Sequence, residues 1–162
     1  MKIFSPIATD SGRLFSMTEP VPREIEAILA TYTPSVRDAL LECRTLIFSV
    51  AMRHGKIGPI TETLKWGHPA YLTEASKAGS TLRLGPCGTV PRAAPDSRAA
   101  LYVNCKTDLI EQFRVHYPET FVYQGNRGLV LKRPVETDAD ALSHCIALTL
   151  MYHLRKRSKL GT

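Results

Sequence analysis

The sequence predicts an α+β domain in which an antiparallel sheet packs against helices on one face. Three observations lead there. Apolar residues recur with a helical period near both ends of the chain, and between them the period drops to two. The strand-like segments come in hairpin-like groups joined by short turns, not as repeated strand–helix–strand units. A chain of 162 residues also suffices for one domain with a full hydrophobic core, without metal or disulfide staples.

Residues 1–20 show neither period and are rich in Ser, Thr, Pro and Gly, so they read as an N-terminal arm. A first short helix runs from about Pro22 to Thr31, with Pro22 in its first turn, Glu24 and Glu26 at its positive end, and Ile25, Ile28 and Leu29 as its apolar face. Thr33-Pro34 opens a second helix, Thr as N-cap and Pro at the first helical position. Val36, Leu40, Cys43, Ile47, Val50, Ala51 and His54 line its apolar side; Asp38, Glu42, Thr45, Ser49 and Arg53 line its polar side; Gly55 stops it. Thr61–Trp66 and Ala70–Thr73 are short β-prone stretches around the turn Gly67-His68-Pro69. Ser80–Leu84 is a third strand, residues 85–97 a Gly- and Pro-rich loop, and Ala99–Cys105 a fourth strand. Asp108 with Glu111 has the spacing of a capping box ahead of a helix carrying Ile110, Phe113 and Tyr117, ended by Pro118. Phe121–Tyr123 and Leu129–Lys132 flank Gly125-Asn126-Arg127-Gly128 as a hairpin. Thr137 with Asp140 starts the last helix, whose final turn is Arg155-Lys156-Arg157. The domain proper is therefore 21–154, followed by a basic C-terminal tail at 155–162.

Composition narrows the classes. Hydrophobic residues at 44% and charged residues at 22% exclude a disordered chain. The net charge of +6 is concentrated at one end, because Arg155, Lys156, Arg157 and Lys159 supply four of the positive charges and the body is near neutral. Pro6, Asp10, Arg13 and Glu19 interrupt any apolar run at the start, so no secretory signal is visible, and no stretch of 18 apolar residues exists to span a membrane. Cys43, Cys87, Cys105 and Cys145 lie 44, 18 and 40 residues apart, a spacing of neither a disulfide framework nor a zinc site. Reduced thiols and a cytoplasmic location are the expectation. No dinucleotide fingerprint, Walker loop, nucleophile elbow or HExxH motif occurs, which removes the common enzyme classes.

The run Ile60-Thr-Glu-Thr-Leu-Lys-Trp-Gly-His-Pro-Ala-Tyr71, then Gly79-Ser-Thr-Leu-Arg83, Leu101-Tyr-Val-Asn-Cys105 and Phe113…Tyr117-Pro118…Phe121…Gly125-Asn-Arg127 resembles domain-of-unknown-function family 1801, the YdhG-like domains. The likeness covers roughly residues 22–154 and is most specific in the long helix and the Leu64-Lys-Trp-Gly-x-Pro-x-Tyr71 hairpin. It implies a small cytosolic YdhG-like α+β domain. One branch is described as a frataxin-like iron chaperone, which makes iron delivery the alternative function.

Four groups of residues carry candidate chemistry. Trp66, the single tryptophan, sits with His68 and Tyr71 around the Gly-Pro turn, either as walls of an aromatic pocket or with Trp66 as a plug of the sheet–helix core. Lys65, Arg83, Lys106 and Arg127 lie on or beside strands, where they converge on an anion or extend to solvent; Arg83 and Arg127 fall within the motifs of the resemblance. Cys105 precedes a helix beside Lys106, a setting that activates a thiol if His68 or His116 supplies a base. The acidic residues are dispersed in pairs (Glu24 and Glu26, Asp38 and Glu42, Asp108 and Glu111, Asp138 and Asp140) that cap helices or lie on solvated faces, and no paired Cys or His offers a zinc site, so no metal ligand is assigned and no cofactor is implied. The expectation is a non-catalytic binding domain for an anionic small molecule or a protein partner, with Trp66, His68, Tyr71, Arg83 and Arg127 as its site. Behind it stand the iron chaperone, a cysteine-dependent enzyme on Cys105, and nucleic-acid binding through the tail, which lacks aromatic interleaving or a recognition motif. No membrane partner is expected, and a homodimer stays open.

Overall fold

Thr33 begins the helix around which the core is built. Its hydroxyl accepts a hydrogen bond from the backbone N–H of Val36 at 3.3 Å, with Pro34 in the first helical position. In the computed structural model, which describes residues 19–87, 98–132 and 135–160, a short α1 (Arg23–Leu29) precedes this long α2 (Pro34–Arg53). Two hairpin pairs come next: β1 (Thr61–Lys65) with β2 (His68–Leu72), and β3 (Leu82–Pro86) with β4 (Ala99–Val103). Then come α3 (Leu109–His116), the hairpin β5 (Val122–Gln124) and β6 (Gly128–Val130), a 3-10 turn at Val135–Asp138, and the helices α4 (Ala139–Leu150) and α5 (Tyr152–Leu160). Most of the expected arm (residues 1–18) and of the Gly- and Pro-rich loop (88–97) lies outside the described residues.

The described strands form one antiparallel sheet in the order β1-β2-β3-β4-β6-β5. Side chains alternate between its faces, and directly paired residues share a face. Tyr71 pairs with Leu82, Leu82 with Val103, Leu84 with Leu101, and Leu101 with Leu129. All six are buried against the helices, where they meet Leu40, Cys43 and Ile47 of α2, Phe113 of α3 and Ile146 of α4 in one cluster. Burying each of these large side chains is worth about 1.5–3 kcal/mol. The alternate set, Ala70 paired with Arg83, Arg83 with Tyr102 and Tyr102 with Gly128, faces the other way.

Among the described residues the core contains one ion pair. Arg44 of α2 is 3% exposed; its Nε donates to Oε2 of Glu62 at 2.6 Å and its Nη2 to Oε1 at 2.8 Å. Nη2 also reaches the carbonyl of Pro20 at 3.1 Å, and the guanidinium lies over the Phe48 ring. Burial alone would lower the Arg44 pKa, but the Glu62 carboxylate outweighs it and holds the guanidinium above its ordinary value. This pair fastens the central helix to edge strand β1.

Several local readings are corrected by the structure. Asp108 makes no capping bond to the start of α3; its Oδ1 accepts from Gln112 Nε2 at 2.8 Å instead. Asp138, not Thr137, precedes α4, after a 3-10 turn. The stretch expected to be loop from residue 85 continues β3, with Pro86 opposite Ala99 and Cys87 N–H donating to the Arg98 carbonyl at 2.7 Å. Cys87 is half-buried there.

The last helix is interrupted at Met151, and the connection from β2 to β3 explains why. The Leu154 N–H, which an unbroken helix would direct to the Leu150 carbonyl, donates to Ala78 O at 2.8 Å, and Ser80 N–H donates to Thr149 O at 2.9 Å. A backbone strand has entered the helical ladder, a recognised cause of a sharp break. Gly79 makes the approach close: a Cβ there would overlap the Leu150 carbonyl, a backbone group that cannot swing aside. Gly79→Ala is expected to lower the urea midpoint by the equivalent of about 1–3 kcal/mol, whereas Gly55→Ala, with open space around it, leaves the midpoint within error of the original.

Candidate functional site

Arg83 alternates with Leu82 and Leu84, so when those two leucines bury toward the helices its side chain is sent to the opposite face. There it meets His68, which adds no bulk to the core. The His68 ring occupies the space above Gly85, where a Cβ would come within 3.1 Å of it. It stacks on Tyr102 at 6.2 Å between centroids and 11° between planes. Tyr102 is itself anchored by its hydroxyl, which donates to Pro86 O at 2.7 Å. Arg83 Nη1 lies 3.2 Å from His68 Nδ1, and its guanidinium is 5.8 Å from the centre of the Tyr102 ring. His68 and Tyr102 thus form a platform that fixes the direction of Arg83.

Beside that platform the open face holds a cleft of about 260 Å³. Arg83 and Thr81 come from β3 and the residue before it, and Lys65 and Trp66 from the tip of the β1–β2 hairpin. Asn104 and Cys105 come from the turn after β4, and Arg127 from the β5–β6 loop. One backbone bond and one side-chain bond hold those last two segments together: Val103 N–H donates to Arg127 O at 2.8 Å, and the Asn126 side-chain Nδ2 donates to Cys105 O at 3.2 Å. Three cationic side chains therefore line one cleft, and its described lining includes no carboxylate. Among the described residues no carboxylate lies within ion-pair distance of Arg83, Arg127 or Lys65. Partial burial holds the Arg83 guanidinium below its ordinary value, and the Arg127 charge pushes it the same way. An anion entering the cleft would relieve that repulsion.

Trp66 forms one wall. It is 87% exposed, which overturns its reading as a plug of the core. Its φ is +57° and that of Gly67 is +75°, the two left-handed positions of a type I′ turn, where Asn-Gly is the favoured pair. A large aromatic residue in that conformation costs roughly 1–2 kcal/mol relative to glycine, and no packing at this position offsets it. Such an outlier is a pointer to function.

Not every candidate reaches the cleft. Tyr71 does not join it. The side chain is 1% exposed on the helix side, paired with Glu62 across the β1–β2 ladder and edge-on to Phe48; burial, then the Glu62 charge, raises its pKa. Its position one residue after Ala70, which pairs with Arg83 on the other face of the sheet, requires this. Lys106 is exposed outside the cleft lining. Cys105 is exposed and lines the cleft, but neither His68 nor His116 does. His116 sits at the end of α3 against His144 of α4, ring centroids 4.8 Å apart, and His144 Nδ1 shares a 2.8 Å hydrogen bond with the Tyr117 hydroxyl. The cysteine–histidine pairing that a nucleophilic thiol needs is not assembled. Cys43 and Cys145 are buried, and burial pushes the Cys145 thiol up to about 12. Among the described residues no three His, Cys, Asp or Glu side chains come together to hold a metal ion, and no helix is long and apolar enough to cross a membrane. Residues 155–160 of the expected basic tail belong to helix α5, and 161–162 lie outside the described residues. Arg155 donates to Gln112 and to Leu148 O, Arg157 to Lys77 O, and Lys156 lies over the Tyr152 ring. Thr81, Val103 and Asn104 are the lining residues that sequence reasoning missed; Val103 ends β4, and Thr81 and Asn104 each directly flank a strand end, so the β3–β4 register would have revealed them.

No family model, curated protein or solved structure matches the chain.

If the Trp66 conformation is held for its ring and not for the fold, Trp66→Asn removes the strain and raises the urea midpoint by the equivalent of about 1 kcal/mol. A fall in the midpoint would mean that the indole stabilises the fold.

Proposed function

We propose that this protein is a non-catalytic binding domain that takes a small anionic molecule in the cleft on the open face of its sheet. The observation that carries the reading is the convergence of Arg83, Arg127 and Lys65 on one cleft with no described carboxylate to neutralise them. Arginine offers planar forks of donors suited to carboxylate and phosphate oxygens, and lysine a mobile point charge. The His68–Tyr102 platform holds Arg83 in place before a ligand arrives, which lowers the ordering cost of binding. Binding and not catalysis is favoured because the described lining supplies donors and one thiol but neither an acid nor a histidine to act as a base. The motifs resembling the YdhG-like family include Arg83 and Arg127 and are in keeping with a shared site on this face. Nothing observed favours the iron chaperone, for which oxygen ligands would have to converge, or nucleic-acid binding through α5, where Arg155, Lys156 and Arg157 each contact a neighbouring group.

Titration calorimetry with inorganic phosphate tests the reading. Charge-assisted hydrogen bonds are worth about 1.5–3 kcal/mol each. Arg83→Gln and Arg127→Gln are therefore each expected to weaken binding at least tenfold. Arg53→Gln, at the far end of α2, leaves it unchanged, and raising the ionic strength weakens it in the parent protein. Parent-like affinity in both cleft variants, with circular dichroism confirming the fold, would place the anion site elsewhere.

A further inference from the structure

We infer that the ligand class of this cleft is a small phosphate monoester carried on a planar ring, with the phosphoryl group held by Arg83, Arg127 and Lys65 and the ring laid against Trp66. The inference rests on the proposed anion-binding function and deepens it.

Charge comes first. Three cations face the cleft, and no described acid offsets them. A monocarboxylate would cancel one of the three charges and leave two in mutual repulsion. A phosphate monoester carries about −1.5 to −2 at pH 7 and three strong acceptor oxygens, enough to engage two arginine forks and a lysine together. Size comes second. A cleft of about 260 Å³ lies just under the roughly 300–1,000 Å³ range of drug-sized pockets. It suits one phosphoryl group and one ring, and is too small for a dinucleotide or a folded segment of a polymer. The wall comes third. Trp66 presents its ring to solvent from a strained turn position at the mouth of a cationic cleft. Stacking of a planar ring on an aromatic side chain is worth enough to influence affinity without demanding a particular pattern of hydrogen bonds. A purely inorganic anion would leave that indole unused.

The test is a calorimetric panel of phenyl phosphate, phenyl sulfate, inorganic phosphate and a capped tripeptide containing phosphotyrosine, against the parent protein and Trp66→Asn. Phenyl sulfate keeps the ring and shape of phenyl phosphate with a single charge. Phenyl phosphate is expected to bind at least tenfold more tightly than phenyl sulfate and than inorganic phosphate. Trp66→Asn, a residue suited to the turn, is expected to erase the advantage of phenyl phosphate over inorganic phosphate. Equal affinity for phenyl sulfate would overturn the dianion, and equal affinity for inorganic phosphate would overturn the ring wall. A phosphotyrosine tripeptide binding tenfold more tightly than phenyl phosphate would replace the small molecule with a modified protein as the source. If no probe binds the parent protein at all, the anion-binding reading itself fails, an outcome distinct from each of these.

Discussion

A sheet covered by helices on one side has two unlike faces, and every strand must divide its side chains between them. That constraint runs through the whole molecule. Because Tyr71, Leu82, Leu84, Leu101 and Leu129 are needed under the helices, their neighbours His68, Arg83, Tyr102 and Gly128 are assigned to the other face by the two-residue period. A slip of one residue in β3 would bury Arg83 and expose two leucines. The core thus determines where the cations of the candidate site stand, and stability and function share one register.

Two arginines show the consequences of that division. Arg44 enters the core and is matched by Glu62 with two short hydrogen bonds, so its charge is compensated and its role is to fasten α2 to the edge strand. Arg83 stands on the open face against a histidine and a tyrosine, beside a second arginine, with no described carboxylate in range. The first is a satisfied structural group; the second is a charge set in place and left uncompensated. Trp66, beside Arg83, is a further departure from local preference, an aromatic residue where the turn favours asparagine. Natural domains concentrate such departures at functional sites, and here they fall on the rim and floor of one cleft.

The fold class was legible because it depends on periodicity. The alternation of Leu82-Arg83-Leu84 and the Thr33-Pro34 start of α2 are local signals with direct structural causes. Arg83, Arg127, Trp66 and His68 were also reachable, since cations and aromatics on the outward positions of strands and at turn tips are visible in the sequence. Other features depended on distant partners. Arg44 could not be separated from solvent-facing cations without knowing that Glu62, 18 positions later, folds back against it. Tyr71 was misplaced because its kinship with the turn residues hid its parity within β2. The break at Met151 carries no proline or glycine of its own; its cause is the backbone at Ala78–Ser80, remote in sequence. Spacing could not place Cys105 in the cleft either, because that depends on Asn126 tying two separate loops together.

The most direct measurement of the central claim is a nuclear magnetic resonance titration of the isotope-labelled protein with phenyl phosphate. The single tryptophan gives one indole N–H resonance, an unambiguous marker for the hairpin tip. The expected result is that this resonance moves together with the backbone signals of Arg83, Asn104, Cys105 and Arg127, all saturating with one dissociation constant. Saturable shifts confined to other parts of the molecule, such as the groove beside Pro20 and Met52, with the indole unmoved, would contradict it.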